Sequence, residues 1–468
     1  MTLFGITVNR RQGALLIADA VLVLLAISVS NTIRLGHDFT PEQILLQWQV
    51  RTGASFFAVF VHLSFLYIFE CYSTELDYRR AINVVRVGIS VGLSGLALSV
   101  IYFLLPNWGI GRGVLTVHTF FVMFGLTMCR VVYSSVVGRA HVLRAAAVVG
   151  AGPSGRLLAE TLGAAENPEM LVTVFIDCRP ELAGTELAGV PVVSPALDDL
   201  PGQFRALGIR EVIIADRDGW DEDLIQRILA ARVDGLPVQE MVRVFKRVTG
   251  RVPVGYVDNA YFLFGPGFSL NQNVLVRNLF RLFDIGLATI GLILSAPLQI
   301  LTALAVLIFN GRPVFFAQER LGKDEEPFVL YKFRTMIPDA EKGSGPKWAA
   351  SDDPRVTRLG RFLRRSRLDE MPQLWNVLSG VMSFIGPRPE RKHFVDQLRK
   401  EIPFYALRFT VRPGITGWAQ VNYRYGASRE DAQRKLEYEL FYVQEMSLFL
   451  NILILAKTVQ TILLRRGS

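Results

Sequence analysis

Residues 282–309 read LFDIGLATIGLILSAPLQILTALAVLIF, an apolar run with Pro297 at its middle and basic residues on both sides, Arg277 and Arg281 before it and Arg312 and Arg320 after it. A simple crossing carries asymmetric flanks, because cytoplasmic loops hold the excess of Lys and Arg. Proline removes a helix hydrogen bond and disfavours helical geometry in the residue before it. The run over 282–309 is therefore expected to bend at Pro297 and return to the face it entered from, as a re-entrant helix hairpin. The alternative is a proline-kinked crossing, which would put everything beyond it on the far side of the membrane.

Upstream, four apolar stretches near 13–30, 54–69, 84–105 and 115–132 are each about the length that crosses a bilayer. They predict a four-helix transmembrane bundle over 1–140. Arg10 and Arg11 precede the first stretch, Arg79, Arg80 and Arg86 surround the loop after the second, and Arg130, Arg139 and Arg144 follow the fourth. The positive-inside bias then places both ends of the bundle in the cytoplasm. No small-residue cleavage site ends the first run, so it reads as a retained anchor. The whole chain is 51% hydrophobic with a formal charge of +9, which favours a negatively charged neighbour such as lipid headgroups, phosphates or nucleic acid. Cys71, Cys129 and Cys178 are scattered and build neither a disulfide framework nor a zinc pattern.

From Ala145 the pattern changes to a β-branched strand, a glycine turn (Gly150, Gly152, Gly155) and a helix, followed by strands at 171–176 and 211–215 and a helix near 221–232. This alternation predicts a Rossmann-like α/β domain over 145–258. The turn could admit a phosphate to a helix amino terminus, with Asp177 placed to meet a ribose hydroxyl, so Gly150, Gly152, Gly155 and Asp177 are candidate nucleotide-binding residues. Equally, the glycines could serve helix–strand packing alone.

Downstream, ordered motifs crowd together: Phe316-Ala317-Gln318-Glu319-Arg320, Tyr331-Lys332-Phe333-Arg334-Thr335-Met336, Ser366-Arg367-Leu368-Asp369-Glu370-Met371-Pro372-Gln373, Ser383-Phe384-Ile385-Gly386-Pro387-Arg388-Pro389-Glu390, and Arg412-Pro413-Gly414-Ile415-Thr416-Gly417-Trp418-Ala419-Gln420. Together they resemble the bacterial sugar transferase family of monotopic phosphoglycosyl transferases, and the leading helices and α/β segment resemble its large, exopolysaccharide-initiating members. Thr335 stands where that family more often has serine, which keeps the hydroxyl. The expected fold is a membrane α-helical bundle, a Rossmann-like α/β domain, and a mixed, mainly α-helical monotopic catalytic domain over 274–468 with a re-entrant helix.

Asp369-Glu370 is an adjacent carboxylate pair suited to two tasks, since one carboxylate can attack phosphorus while its neighbour holds a divalent ion. The resemblance assigns Asp369 as nucleophile, Glu370 as ligand of Mg²⁺, and groups Gln373 with the substrate-binding residues. Two phosphates beside a carboxylate need fixed cations. Arg388, between two prolines, suits bidentate contact with a diphosphate, and Lys332 and Arg334 can add charge; Arg334 could instead pair with local acids. The basic run Arg355, Arg358, Arg361, Arg364, Arg365 and Arg367 is expected to face lipid phosphates. Trp418 could line the nucleotide-sugar pocket or pack a turn. Apolar residues 446–464, with Asn451, Thr458, Thr461 and Arg465 along one side, predict an interfacial amphipathic helix.

The resemblance implies transfer of a hexose 1-phosphate, glucose 1-phosphate from UDP-glucose in the first instance and galactose in the second, to undecaprenyl phosphate, giving undecaprenyl-diphosphate-sugar and UMP. It implies a multi-pass protein of the bacterial inner membrane with its catalytic domain on the cytoplasmic side. Its partners are the nucleotide-sugar, the polyprenyl phosphate and membrane lipid, with no nucleic acid, and the extra domains suggest a homodimer. Two other classes compete. An NAD-dependent nucleotide-sugar dehydratase or epimerase generally needs a Tyr-x-x-x-Lys pair, and no tyrosine in this chain has a lysine four residues later. A non-enzymatic membrane nucleotide sensor or scaffold leaves Asp369-Glu370 unexplained.

Overall fold

The computed structural model describes most of the chain; residues 1, 4–5, 8–9, 36–40, 70, 73–77, 79–80, 105–111, 138–143, 166–169, 196–198, 217–221, 266–273, 339, 341–352, 424–425, 427 and 464–468 lie outside the described residues. Among the residues singled out above, Arg79, Arg80, Arg139 and Arg465 fall there. The chain forms two compact units, Met1–Val142 and Leu143–Ser468.

The first unit opens with a two-residue pairing of β1 (Thr2–Leu3) and β2 (Ile6–Thr7). Four helices follow, α1 (Arg10–Leu35), α2 (Pro41–Ile68), α3 (Ala81–Leu104) and α4 (Arg112–Val137), at the places the apolar runs predict. Stretches Gly13–Ile33, Ala81–Leu104 and Gly113–Ser135 are long and apolar enough to cross a membrane, and Gly53–Ile68 is a shorter apolar helix. Polar groups lie inside the bundle. Arg130 on α4 pairs with Asp19 on α1 at 2.6 Å, both buried. His62 on α2 meets Ser94 on α3 at 2.6 Å and His118 on α4 at 3.1 Å. Arg130 is therefore not a flanking charge that sets orientation, as its place after an apolar run suggests; its guanidinium points into the bundle, where only a carboxylate makes such burial tolerable.

The second unit begins with the α/β layer. Its elements are β3 (Arg144–Val149), α5 (Pro153–Gly163), β4 (Met170–Ile176), β5 (Glu186–Leu187), β6 (Val190–Val193), α6 (Leu200–Ala206), β7 (Glu211–Ile214), α7 (Glu222–Val233), β8 (Val238–Glu240) and α8 (Met241–Thr249). The sheet order is β5-β6-β4-β3-β7-β8, parallel from β6 to β8 with β5 antiparallel at the edge. Strand β3 is apolar throughout its buried length because both faces are covered. Ala146 and Val148 join one core, and Ala147 and Val149 join the other. This is a doubly wound layer whose topological switch lies between β3 and β7.

The rest of the unit contains α9 (Asn259–Phe264), α10 (Val274–Asn310), the antiparallel hairpin β9 (Phe315–Leu321) and β10 (Pro327–Phe333), α11 (Arg358–Arg365), α12 (Gln373–Ser379), β11 (Ser383–Ile385), α13 (Lys392–Glu401), β12 (Gly414–Thr416), α14 (Trp418–Asn422), α15 (Arg429–Glu445) and α16 (Leu448–Leu463). Strands β11 and β12 pair in parallel. Val252 and Val254, just past the α/β layer, pack into the core formed by Val395, Leu398, Ile402, Leu436 and Leu440. They therefore belong physically with the last domain.

Helix α10 is one helical element with Pro297 inside it, longer than the expected 282–309 run. Both of its halves rest on the same domain. Arg281 donates to the carbonyls of Val377 and Leu378 at 2.6 and 2.7 Å, and the Asp284 carboxylate accepts from the Ser383 hydroxyl and the Phe384 N–H at 2.9 and 2.8 Å. At the other end Val306 packs with Phe333 and Leu363, and Asn310 donates to the Arg334 carbonyl at 3.2 Å.

Helix α16 departs from expectation. Its polar side does not face water: Asn451 accepts from Tyr442 Oη at 3.0 Å, Thr458 meets Thr416 at 2.8 Å, and Lys457 donates to Asn422 at 2.7 Å. The polar stripe is the helix's attachment to the domain. A helix wheel shows which residues share a side and cannot tell protein from water on that side.

Candidate active site

Asp369 and Glu370 sit on a single 3₁₀ turn, Leu368–Glu370, between α11 and α12. Thr357 caps α11 by accepting from the Gly360 N–H. The helix ends as Arg367 adopts a left-handed backbone with φ 58°. That conformation costs a non-glycine residue on the order of 1 kcal/mol, and it turns the chain so that both carboxylates face β10 and the loop after β11.

Glu370 Oε1 accepts from Lys332 Nζ at 2.9 Å and from Arg388 Nη2 at 2.6 Å, while Arg367 lies 3.5 Å from Oε2. Burial pushes this carboxyl up, but the combined charges of Arg388, Lys332 and Arg367 hold it well below the usual carboxylate range. Asp369 is handled differently. Burial and then the neighbouring Glu370 charge raise it, and Lys332, Arg364 and Arg388 oppose them only in part. Its Oδ1 is buried without a hydrogen-bond partner. Four cations, Lys332, Arg364, Arg367 and Arg388, thus act on two carboxylates. The surplus positive charge and the orphaned oxygen are what an incoming anion and an electrophile would satisfy.

The same geometry tests whether a divalent ion fits. Two adjacent carboxylates, with Glu370 Oε2 approached by Arg367 only at 3.5 Å, are a donor set that Mg²⁺ accepts, since it takes one or two protein carboxylates and completes its shell with water and substrate phosphate. Among the described residues no cluster of three or more His, Cys, Asp or Glu offers a fuller cage.

The expected residues divide. Lys332 and Arg388 converge on the pair. Gln373 is buried at the first position of α12. Arg334 is a correction: its guanidinium donates to the carbonyls of Gly311 and Arg312, both at 2.7 Å, and to that of Asn310. It caps the end of α10. Strand alternation would have put Lys332 and Arg334 on one face, but β10 ends at Phe333, so the alternation stops before Arg334.

Two site residues were hidden in the basic run. Arg364 donates from Nε to Thr335 Oγ1 at 2.9 Å, with its charge felt by both carboxylates, and Arg367 pairs with Glu370. Arg355 pairs with Asp353 at 2.6 Å. Only Arg358, Arg361 and Arg365 are exposed. The signal available was position: Arg364 and Arg367 lie five and two residues before Asp369. Thr335 also gains a reason for its hydroxyl, which orients Arg364.

The glycine turn of the α/β layer is filled by its own side chains. Asp177 accepts from the Ala151 N–H at 2.7 Å, the Arg179 N–H at 3.0 Å, and the Arg179 guanidinium at 2.8 and 2.7 Å. Burial pushes its carboxyl up, and these bonds bring it down to about 2. A Cβ on Gly152 would lie 2.1 Å from Asp216 Oδ2, so a carboxylate covers the turn where a phosphate would approach. Gly155 lies against the Gly150 carbonyl, as the packing alternative requires. Trp418, too, is a packed joint: its Nε1 donates to the Gly250 carbonyl at 2.8 Å and its ring stacks on Phe441.

Comparison with known proteins falls on the same segment. The profile of the family described as bacterial sugar transferase matches residues 276–465. The UDP-N-acetylgalactosamine-undecaprenyl-phosphate N-acetylgalactosaminephosphotransferase of Aeromonas hydrophila is 39% identical over 262 residues, 55% of this chain and 60% of that protein. The UDP-glucose:undecaprenyl-phosphate glucose-1-phosphate transferase of Escherichia coli (strain K12) is 44% identical over 185 residues, 39% of this chain and 40% of that protein. The chain thus spans 60% and 40% of the length of these two curated relatives. An uncharacterized sugar transferase of Bacillus subtilis (strain 168) is 41% identical over 192 residues, 40% of this chain and 88% of that protein. A profile match over the whole region that builds the acid pair, and a relative covered through most of its length, agree with the geometry: this chain belongs to the bacterial sugar transferase family.

Proposed function

We propose that this chain is a phosphotransferase that moves a hexose 1-phosphate from a nucleotide-sugar to undecaprenyl phosphate. The observation that carries the reading is the asymmetry of the acid pair: Glu370 Oε1 is bound by Lys332 and Arg388, with Arg367 3.5 Å from Oε2, while Asp369 keeps a buried oxygen with no partner. An oxygen in that state is a nucleophile awaiting an electrophile. In the first step Asp369 forms a bond to the sugar-bearing phosphorus, and the bond to the bridging oxygen breaks with its electron pair leaving on the nucleoside monophosphate. In the second step an oxygen of the polyprenyl phosphate attacks that phosphorus, and the bond to Asp369 breaks, returning a free carboxylate. Lys332 has donors beyond the one given to Glu370, and it and the Arg388 guanidinium meet the diphosphate charge. Glu370, through the Oε2 that Arg367 approaches only to 3.5 Å, would hold Mg²⁺, which when bound would supply charge neutralisation at the transferring phosphoryl oxygens.

UDP-glucose is the donor we favour, supported by the name of the Escherichia coli relative; the Aeromonas hydrophila relative favours UDP-N-acetylgalactosamine as the second reading. Turnover of a panel of UDP-sugars, including UDP-galactose, with Mg²⁺ and undecaprenyl phosphate, read as UMP release, tests both. Absence of release from every donor would remove the reading.

We further propose that α10 is re-entrant and that the catalytic domain lies at the cytoplasmic face of the inner membrane. The support is mechanical: Arg281 and Asn310, near opposite ends of α10, both bond to one folded domain, which cannot occupy both sides of a bilayer whose core is about 30 Å thick. A bend at Pro297 would bring this about. Labelling of single cysteines placed before Leu282 and after Phe309 should find both from the same side; labelling from opposite sides would establish a crossing.

A further inference from the structure

Arg388 is presented by Pro387 and Pro389, and proline carries no N–H. The tripeptide therefore has four backbone polar groups, three carbonyls and the Arg388 N–H, and each has a partner elsewhere. The Pro387 carbonyl accepts from the Gly414 N–H at 2.8 Å, and the Pro389 carbonyl accepts from Arg320 at 3.3 Å. The Arg388 carbonyl accepts from Arg408 Nη2 at 2.8 Å, and the Arg388 N–H is directed at Glu439 Oε1 at 3.4 Å. Arg408 Nη2 also donates to Glu439 Oε1 at 2.9 Å, and Arg408 Nη1 donates to the Tyr405 hydroxyl at 2.5 Å. One ion pair thus grips Arg388 on both sides of its Cα.

That pair is deeply placed, with 5% of the Arg408 side chain and 6% of the Glu439 side chain exposed. A buried ion pair is a poor way to stabilise a fold, because apolar residues of similar volume do as well without the desolvation cost. Its presence beside the Arg388 peptide points to a task that apolar residues cannot do. We propose that Arg408 and Glu439 are positioning residues: resting on the phosphotransferase reading above, they fix the Arg388 peptide so that its guanidinium stays beside Glu370, where the diphosphate charge is met. Lysine would not replace Arg408, since its single ammonium cannot hold the Glu439 carboxylate and the Arg388 carbonyl from one nitrogen while a second nitrogen reaches the Tyr405 hydroxyl, as the planar fork does.

The test uses the full chain with three alterations: Arg408→Lys, the apolar double replacement Arg408→Met with Glu439→Leu, and that double replacement combined with Arg388→Ala. In the double replacement, hydrogen exchange in peptides containing Arg388 should rise about tenfold while the β9–β10 hairpin is unchanged. With the donor that the unaltered protein turns over, kcat should fall about 10²-fold, the loss expected from a small misplacement of a charged group, with KM for polyprenyl phosphate unchanged. Adding Arg388→Ala should then cost less than about threefold more, because grip and guanidinium act as one unit. Arg408→Lys should show the same pattern in weaker form, and it decides the matter if the double replacement does not fold. Unchanged exchange at Arg388, or a full additional loss from Arg388→Ala, would overturn the proposal. Were the unaltered protein to turn over no UDP-sugar, the phosphotransferase reading would fall while the exchange measurement still decided whether this pair holds Arg388.

Discussion

The turn at Leu368–Glu370 and the glycine turn at Gly150–Gly155 both set carboxylates beside features associated with phosphate, and they settle their charge in opposite ways. At the glycine turn, Asp177 is satisfied by one arginine and two backbone N–H groups, and Asp216 covers Gly152. Both oxygens of Asp177 have partners there. At the acid pair, cations outnumber carboxylates and Asp369 Oδ1 has no partner. The contrast teaches that a binding site is marked by unspent charge and unmet hydrogen bonds more than by a sequence pattern.

Replacing the two aspartates puts that contrast at greatest risk. Asp369→Asn should remove UMP release by at least about 10³-fold while the protein stays folded, as expected for loss of a covalent nucleophile. Asp177→Asn should leave turnover within about threefold and act on stability, since it breaks a partly buried pair. Robust release by Asp369→Asn would erase the distinction. Next in size, Arg364→Gln and Arg388→Ala should each lower kcat by about 10²-fold, the usual cost of deleting one donor aimed at developing charge, whereas Arg334→Gln should chiefly lower the melting temperature.

The pH profile sharpens the comparison further. Asp369 must be ionised to attack, and its raised pKa means that activity is lost as pH falls through a value above the ordinary 3.8. Glu370 is depressed, so its contribution to stability is present above the usual glutamate range and disappears only as pH falls well below it. Activity should therefore fail before the fold does on acidification, measured as UMP release and circular dichroism on one sample; simultaneous loss would contradict the assignment. Smallest of all, Gly152→Ala should destabilise by roughly 1–3 kcal/mol through overpacking against Asp216, with kcat per folded molecule unchanged.

Much of this was legible in the sequence. The four apolar runs and the parallel strands of the α/β layer stand where periodicity and spacing put them, because each depends on local pattern, while the Asp369-Glu370 pair was singled out by the resemblance of the motifs around it. What was not legible depends on direction. Arg334 follows Lys332 by two residues, yet it caps α10, because the strand ends between them. The arginine run looked like one stripe, but α11 divides it, with Arg364 turned inward and Arg361 outward. Asn451 and Thr458 looked like a wet face and are attachments to the domain, the first buried and the second half-buried. The domain limit expected at residue 258 has the same character: Val252 and Val254 read as part of the α/β segment but fill the neighbouring core.

Guanidinium groups fasten α10 at both ends, Arg281 onto the carbonyls that close α12 and Arg334 onto those that close α10 itself. If the helix dips into lipid as proposed, its depth of insertion is dictated by the folded head and not by the surrounding membrane. Hydrophobic mismatch must then be relieved by the bilayer, through local thinning or thickening, since the wedge has little freedom to tilt. Such a protein would deform a membrane of the wrong thickness before it gave up its own geometry.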